Sequence, residues 1–183
     1  MSREAEFVKY EAVYRHASYA MGQTRKQAIF RYLAEDPEKG SLLDVGTGRG
    51  ETLDLAESLG YEPVRGTEVV PYLIDGERVV RGEVHALPFP DQSFDWATMF
   101  DVMEHLLPGD DEAAVRELCR VSRVGVVLTI ANFPSIKDGM DLHINIRAYR
   151  EWDGLLRQWA PDHVVDWLPR YGSISEGWRL TRG

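Results

Sequence analysis

The chain has 183 residues, 44% hydrophobic and 28% charged, which fits one globular domain with a substantial core. Its net charge of −9 argues against a broad phosphate-binding surface, which needs clustered Lys and Arg, so a nucleic-acid partner is disfavoured. No apolar run reaches the roughly 20 residues of a membrane helix. Met1 to Tyr10 lacks the apolar centre of a signal peptide, and Cys119, the single cysteine, excludes an internal disulfide and a thiolate zinc cluster. The expectation is a cytoplasmic protein without membrane contact; nothing in the sequence fixes an oligomeric state.

Phe7, Tyr10, Tyr14 and Ala17 recur at helical spacing, and Met21–Gly22 interrupts that first helix. Thr24 and Gln27 read as a capping box ahead of a second helix carrying Ala28, Ile29, Tyr32 and Leu33, which stops near Asp36–Pro37. Strands and helices then alternate. Ser41 to Val45 is a buried strand, Glu51 to Leu59 a helix closed by Gly60, and Val64 to Val70 and Val79 to Val84 are further strands. Phe94 to Phe100 is a fourth strand, Glu112 to Val121 a helix with Leu118 and Cys119 inward, and Val126 to Ala131 a fifth strand. Trp152, Leu155, Leu156 and Trp159 mark another amphipathic helix, with the tryptophans facing the core. Val164 to Leu168 and Gly177 to Thr181 are a final pair of strands. This alternation predicts a largely parallel sheet with helices on both faces, and ligands at the carboxyl ends of its strands.

The loop after the first strand is Asp44-Val45-Gly46-Thr47-Gly48-Arg49-Gly50-Glu51. Glycines there let the backbone turn tightly and let a ligand approach it. A dinucleotide fingerprint would need glycine at position 51, where Glu51 stands, and no Gly-Lys-Ser/Thr follows. An acid at that helix terminus would repel a pyrophosphate, so the ligand is not expected to be held by phosphates. Glu68, at the end of the second strand, can accept the ribose hydroxyls of a nucleoside, and Glu83, near the end of the third, can accept from an adenine amino group.

Leu43-Asp44-Val45-Gly46-Thr47-Gly48-Arg49-Gly50 resembles the first motif of the class I S-adenosylmethionine-dependent methyltransferases. The segment from Gly82 through Leu87-Pro88-Phe89 to Asp95 is similar to that family's Gly-Asp-Ala-x-x-Leu-Pro-Phe run, and Phe100 to Leu106 resembles its fourth motif. The resemblance implies a Rossmann-like, seven-stranded, mostly parallel sheet with an antiparallel C-terminal strand. It implies S-adenosylmethionine as cofactor and S-adenosylhomocysteine as product. Gly46, Thr47, Gly48 and Gly50 would shape the loop around the methionine part, with Asp44 ordering its contacts to the amino group. Glu68 and Val69 would hold the ribose, Glu83 the adenine amine, Val84 would pack on the ring, and Phe100 would lie beside the sulfonium. Glu83 replaces the commoner Asp, and Ser122-Arg123-Val124-Gly125 stands where a Pro-Gly-Gly turn is usual, which tightens the corner before the fifth strand.

Transfer from a cofactor already activated asks the protein mainly to align reactants, which matches the lack of a nucleophilic constellation. His105 and His143 are the candidate catalytic residues, since an oxygen nucleophile needs a base. No metal is expected. Even so, Asp101, Glu104, His105 and His143 form a set like that with which some methyltransferases acting on hydroxyls hold a divalent cation, and oxygen-rich ligation would suit magnesium or manganese.

One domain spanning residues 1–183 is expected: an N-terminal helical lid over 1–36, a cofactor-binding core over 40–135, and a substrate-side helix with the last strands over 136–183. Tyr10, Tyr14, His16 and Tyr19 would line the lid or simply pack it. The expected activity is methylation of an oxygen or nitrogen of a small-molecule or sugar-like acceptor. Two alternatives stay open: an RNA or protein methyltransferase docking through Arg15, Arg25, Lys26 and Arg31, or a non-catalytic module that only binds the cofactor.

Overall fold

The computed structural model describes residues 2–15, 21–35 and 38–183. Helix α1 is Arg3–Tyr14, capped by Ser2, whose hydroxyl accepts from the Ala5 amide at 3.3 Å. Helix α2 is Gln23–Ala34. Its N-cap is the extended Gly22, with no side-chain cap, so the capping box at Thr24 and Gln27 does not form; the helix begins before it, and Thr24 faces a cavity. Ala17, and the expected stop of this helix at Asp36–Pro37, lie outside the described residues.

Strand β1 (Leu42–Val45) leads through the glycine loop into α3 (Glu51–Ser58), which Gly60 ends at φ +92°. Strands β2 (Val64–Glu68) and β3 (Val79–Arg81) are shorter than the apolar runs that predict them. Backbone past β2 curls into a 3₁₀ turn at Pro71–Leu73, and backbone past β3 into a tight bridge of Glu83 with Ala86. Strand β4 is Phe94–Phe100 and α4 is Asp110–Val121. Strand β5 (Ser122–Ile130) follows α4 without a loop, and the extra residue is absorbed as a register shift opposite Phe94 and Trp96. A two-stranded hairpin, β6 (Ile136–Lys137) with β7 (Met140–Asp141), turns at Asp138 and Gly139, both at positive φ. Helix α5 (Tyr149–Trp159) and strands β8 (His163–Leu168) and β9 (Glu176–Arg182) complete the chain.

The seven strands run in the order β3-β2-β1-β4-β5-β9-β8, parallel from β3 to β5, with β9 antiparallel to both its neighbours. Alternating strand residues feed two cores. Leu43, Val45, Ala97, Met99, Val126 and Leu128 pack against α4 and α5, while Leu42, Trp96, Phe100 and Val127 pack against α2 and α3. Trp152 and Trp178 are wholly buried in the first core, and Trp159 and Cys119 lie there too. No helix among the described residues is long and apolar enough to cross a membrane.

The close approach of β5 and β9 depends on Gly125. A Cβ there would stand 2.4 Å from the Leu180 carbonyl oxygen and 3.0 Å from Trp96. Gly125→Ala is expected to cost about 1–3 kcal/mol, as overpacking does, read as a lower denaturation midpoint at unchanged m-value.

Candidate functional site

Strand order reverses between β1 and β4, and the loops leaving β1 to β5 open there onto one cavity of about 670 Å³. Asp44, Gly46, Thr47, Gly48, Glu68, Val69, Glu83, Val84, Phe100, His105 and His143 all line it. Gly50 does not. It has rotated away as the N-cap of α3 at φ +78° and faces a separate cleft with Leu53 and Tyr72, so its part is to start that helix.

The glycine loop packs too closely to its neighbours to carry side chains at two positions. Gly46 and Gly48 hold φ of +73° and +56°; an added Cβ would stand 2.8 Å from Val102 Cγ2 and 2.5 Å from Tyr14 Oη respectively. Beneath the loop, Asp44 is 2% exposed and accepts from the Thr98 hydroxyl at 2.7 Å. Burial pushes its carboxyl up to about 6, against the pull of Thr98 and neighbouring hydroxyls.

Glu68 is buried at the end of β2. Its Oε2 accepts from the Gly48 amide at 2.8 Å, and its Oε1 from the Val69 and Val70 amides at 2.8 and 3.1 Å. Burial still raises its pKa. A carboxylate has about four acceptor positions; with three taken by backbone, one remains, on Oε2. Glu68 therefore ties the glycine loop to the end of β2 and retains room for one ligand hydroxyl, where both ribose hydroxyls are expected from sequence. Glu83 is half-buried in its tight turn, 3.5 Å from His85 Nε2 and 3.8 Å from Arg81.

Across the cavity, the residues following β4 and β5 meet. Glu104 sits in a 3₁₀ turn (Met103–His105), entirely buried, with no side-chain donor on its carboxylate and only its own amide and that of Ala131 nearby, neither placed for a full hydrogen bond. Burial, then the nearby Asp101, push its carboxyl well above the ordinary range. His105 Nδ1 lies 2.8 Å from the Leu142 carbonyl and 2.5 Å from the Tyr10 hydroxyl, which itself donates to Leu142 O at 3.0 Å. Two lone pairs cannot face one another at that range, so Nδ1 carries the hydrogen and Nε2 the lone pair. His143 repeats the arrangement, its Nδ1 2.6 Å from the Phe133 carbonyl. The rings cross at 74° with centroids 4.8 Å apart. Burial pushes His105 down to about 3 and also lowers His143, so both are neutral at neutral pH.

Asp101 does not join them. It is held at φ +53° with one oxygen accepting from the Thr129 hydroxyl at 2.6 Å and the other 2.8 Å from Arg25 Nε. Arg25 also donates to the Phe100 carbonyl. The sequence places Arg25 only among the basic residues of a polar helix; the docking of α2 brings it to Asp101 and the cavity.

Helix α1 lies over the opening. Glu6, Phe7, Tyr10 and Tyr14 line the cavity, Lys9 donates to the Asp141 carbonyl at 2.9 Å, and the Tyr72 hydroxyl to the Glu11 carbonyl at 2.7 Å. His16 and Tyr19 lie outside the described residues. The four basic residues weighed as a docking face each have a partner within the fold. Arg15 pairs with Glu11, Arg25 with Asp101 and Lys26 with Glu51, while Arg31 stacks over the Tyr171 ring.

A family model described as a methyltransferase domain matches residues 43–130. Over 103 residues the chain is 38% identical to a demethylmenaquinone methyltransferase of Roseiflexus castenholzii, covering 51% of this chain and 42% of that protein. A second such enzyme, from another Roseiflexus strain, is 34% identical over 106 residues, with 52% and 44% covered. The chain thus spans under half the length of these curated relatives. The fold is shared with the Burkholderia thailandensis 1,6-didemethyltoxoflavin-N1-methyltransferase, solved with 1,6-didemethyltoxoflavin and S-adenosylhomocysteine bound (TM-score 0.64, 21% identity, 97% of this chain and 85% of that one). It is shared too with an S-adenosylmethionine-bound amino pentose methyltransferase of Micromonospora echinaspora (TM-score 0.66, 16% identity, 96% and 97%). The methyltransferase-domain match runs from within β1 to the end of β5, and the chain shares its fold along nearly its whole length with these two methyltransferases.

Proposed function

We propose that this protein transfers a methyl group from S-adenosylmethionine to an oxygen or nitrogen of a small-molecule acceptor. The observation that carries the reading is one cavity with two unlike ends: a glycine cradle over buried acids at one, and a pair of neutral imidazoles at the other. The loop suits the cofactor because Gly46 and Gly48 turn the backbone at positive φ with no Cβ, so that Val102 and Tyr14 pack directly on it and the cofactor would lie alongside them. Asp44 would hold the amino end, Glu68 one ribose hydroxyl, Glu83 the adenine amine, and Val84 and Phe100 the apolar flanks. Bound there, S-adenosylmethionine supplies a methyl already activated on a sulfonium.

The chain's own share is alignment and proton handling. His143 would offer its Nε2 lone pair to an O–H or N–H acceptor, while His105, whose protonated form burial disfavours more strongly, would position it. Helix α1 serves as the lid that keeps water out, held by Tyr10 to the His105 loop. The pairing of Arg15, Arg25, Lys26 and Arg31 within the fold speaks for a small acceptor over a macromolecular one. A second reading, methylation of a ring carbon, is favoured by the 38% identity to an enzyme named for demethylmenaquinone.

Calorimetric titration with S-adenosylmethionine and with S-adenosylhomocysteine is expected to give one site per chain. His143→Ala should keep that binding and lower turnover roughly 10²–10⁴-fold, the usual range for a lost acid–base group, on whichever acceptor responds in a panel of phenols, alcohols, amines and hydroxyquinones. Absence of binding for both ligands would sink the reading, and turnover on hydroxyquinone carbon alone would favour the second.

A further inference from the structure

We propose that Glu104, His105 and His143 form a three-ligand site for a divalent transition-metal ion of the zinc type, with its open position facing the cavity to take an oxygen of the acceptor. The inference rests on the methyl-transfer reading for its purpose, and it gives the lone pairs of His105 and His143 to an ion that would acidify the acceptor in place of taking its proton directly.

One donor atom from each of the three residues lies within 4.8 Å of the others, a separation that ligands of one ion can share after small side-chain rotations. Three details fit an ion better than a simple polar cluster. Both imidazoles give their Nδ1–H to a backbone carbonyl, Leu142 for His105 and Phe133 for His143. That bond fixes the tautomer and leaves Nε2 as the nitrogen with the free lone pair, as is usual for a metal-bound histidine. Then there is Glu104. A fully buried carboxylate that no side chain donates to, with only its own amide and that of Ala131 nearby and poorly placed, costs on the order of several kcal/mol unless a cation or a proton joins it. Finally, all three residues line the cavity. Two imidazoles and one carboxylate with a free position is the ligand set of catalytic zinc sites.

Asp101 changes the identity of the ion. Drawn off by Arg25 and Thr129, it leaves two nitrogens and one carboxylate, not the oxygen-rich set that the sequence suggests for magnesium or manganese. Imidazole-dominated sites favour zinc, iron or cobalt over magnesium. An ion there would hold an acceptor oxygen and lower its pKa, so the inference narrows the acceptor to a hydroxyl, enol or vicinal diol.

The test is metal binding itself. Chelator-stripped protein is titrated with zinc and with magnesium by calorimetry, and cobalt(II) is added for its visible absorption, whose intensity reports low-coordinate nitrogen and oxygen ligation. We expect one zinc per chain, bound at least 100-fold tighter than magnesium. Glu104→Gln and His143→Ala should each weaken it at least tenfold. His143 is partly exposed, so that variant is expected to fold even if Glu104→Gln does not. No stoichiometric zinc or cobalt in wild type, or binding unchanged in His143→Ala, overturns the site and leaves a protonated Glu104 with metal-free histidines. S-adenosylmethionine titrated into the same preparations separates the two ideas: cofactor bound without metal defeats only the site, and metal bound without cofactor defeats only the methyl-transfer reading.

Discussion

Asp44→Asn is expected to make the free protein more stable while weakening S-adenosylmethionine binding. Asp44 lies under the glycine loop, 2% exposed, with a carboxyl pushed by burial from 3.8 to about 6. Because the folded state holds this proton more tightly than the unfolded chain does, the group's stabilising effect is complete below about pH 4 and is lost as pH rises through 6. At pH 7 the ionised carboxylate costs the fold about 3 kcal/mol at most, from a shift of about two pK units. An asparagine keeps an oxygen for the Thr98 hydroxyl at nearly the same volume and carries no charge. The variant should melt several degrees higher at pH 7, at roughly 2–4 °C per kcal/mol, with the gain vanishing near pH 4. Cofactor affinity should fall about 10–100-fold, the usual worth of a hydrogen bond between charged groups. Thermal melts across pH 4–8 and calorimetry at pH 7 check both halves. A variant that binds as wild type would remove Asp44 from the cofactor site.

Glu68→Ala should lose both properties together. The side chain closes three backbone donors, the amides of Gly48, Val69 and Val70, so its removal strands those groups beside the cavity in addition to deleting a ligand contact. A buried donor left unmade costs about 1–3 kcal/mol. Water entering the cavity will satisfy part of this, and we expect roughly 2–4 kcal/mol of destabilisation with cofactor binding lost beyond detection. Glu68→Gln separates the roles. Its amide oxygen can still accept from one side of the loop, but its NH₂ faces an N–H on the other. It should recover part of the stability and little of the affinity. If Glu68→Ala melts like wild type, the carboxylate is not a structural tie; if it binds like wild type, it is not a ligand. The opposite stability signs of Asp44→Asn and Glu68→Ala follow from hydrogen bonding alone. One buried acid meets a hydroxyl, the other three amides.

The sheet was legible in the chain because its strands are short, continuous apolar runs that end at glycines and prolines, and Phe94–Phe100 was read to the residue. The glycine-loop end of the cavity was legible too, since its residues lie in one loop or directly after a strand. Asp44 through Gly48 form one loop, and Glu68 and Glu83 each follow a strand whose end the hydrophobic pattern marks. The Asp138-Gly139 hairpin carried a readable turn signal that the apolar pattern, only two residues long on each side, did not reinforce.

The remaining features of the site depend on pairings distant in sequence. Gly50 belongs to the same motif as Gly46 and Gly48, yet the turn of the loop aims it at another cleft. Asp101 stands three residues from Glu104, and the sequence grouped them as ligands; the docking of α2 brings Arg25 against Asp101 and takes it away. Glu104, His105 and His143 meet because Leu142 and Phe133 offer carbonyls that lock two rings in place, and carbonyl positions are invisible to residue type. Local pattern determines which face of an element is buried. Which charged groups share that burial is set by long-range packing, and in low dielectric those partners fix both the protonation and the chemistry of the site.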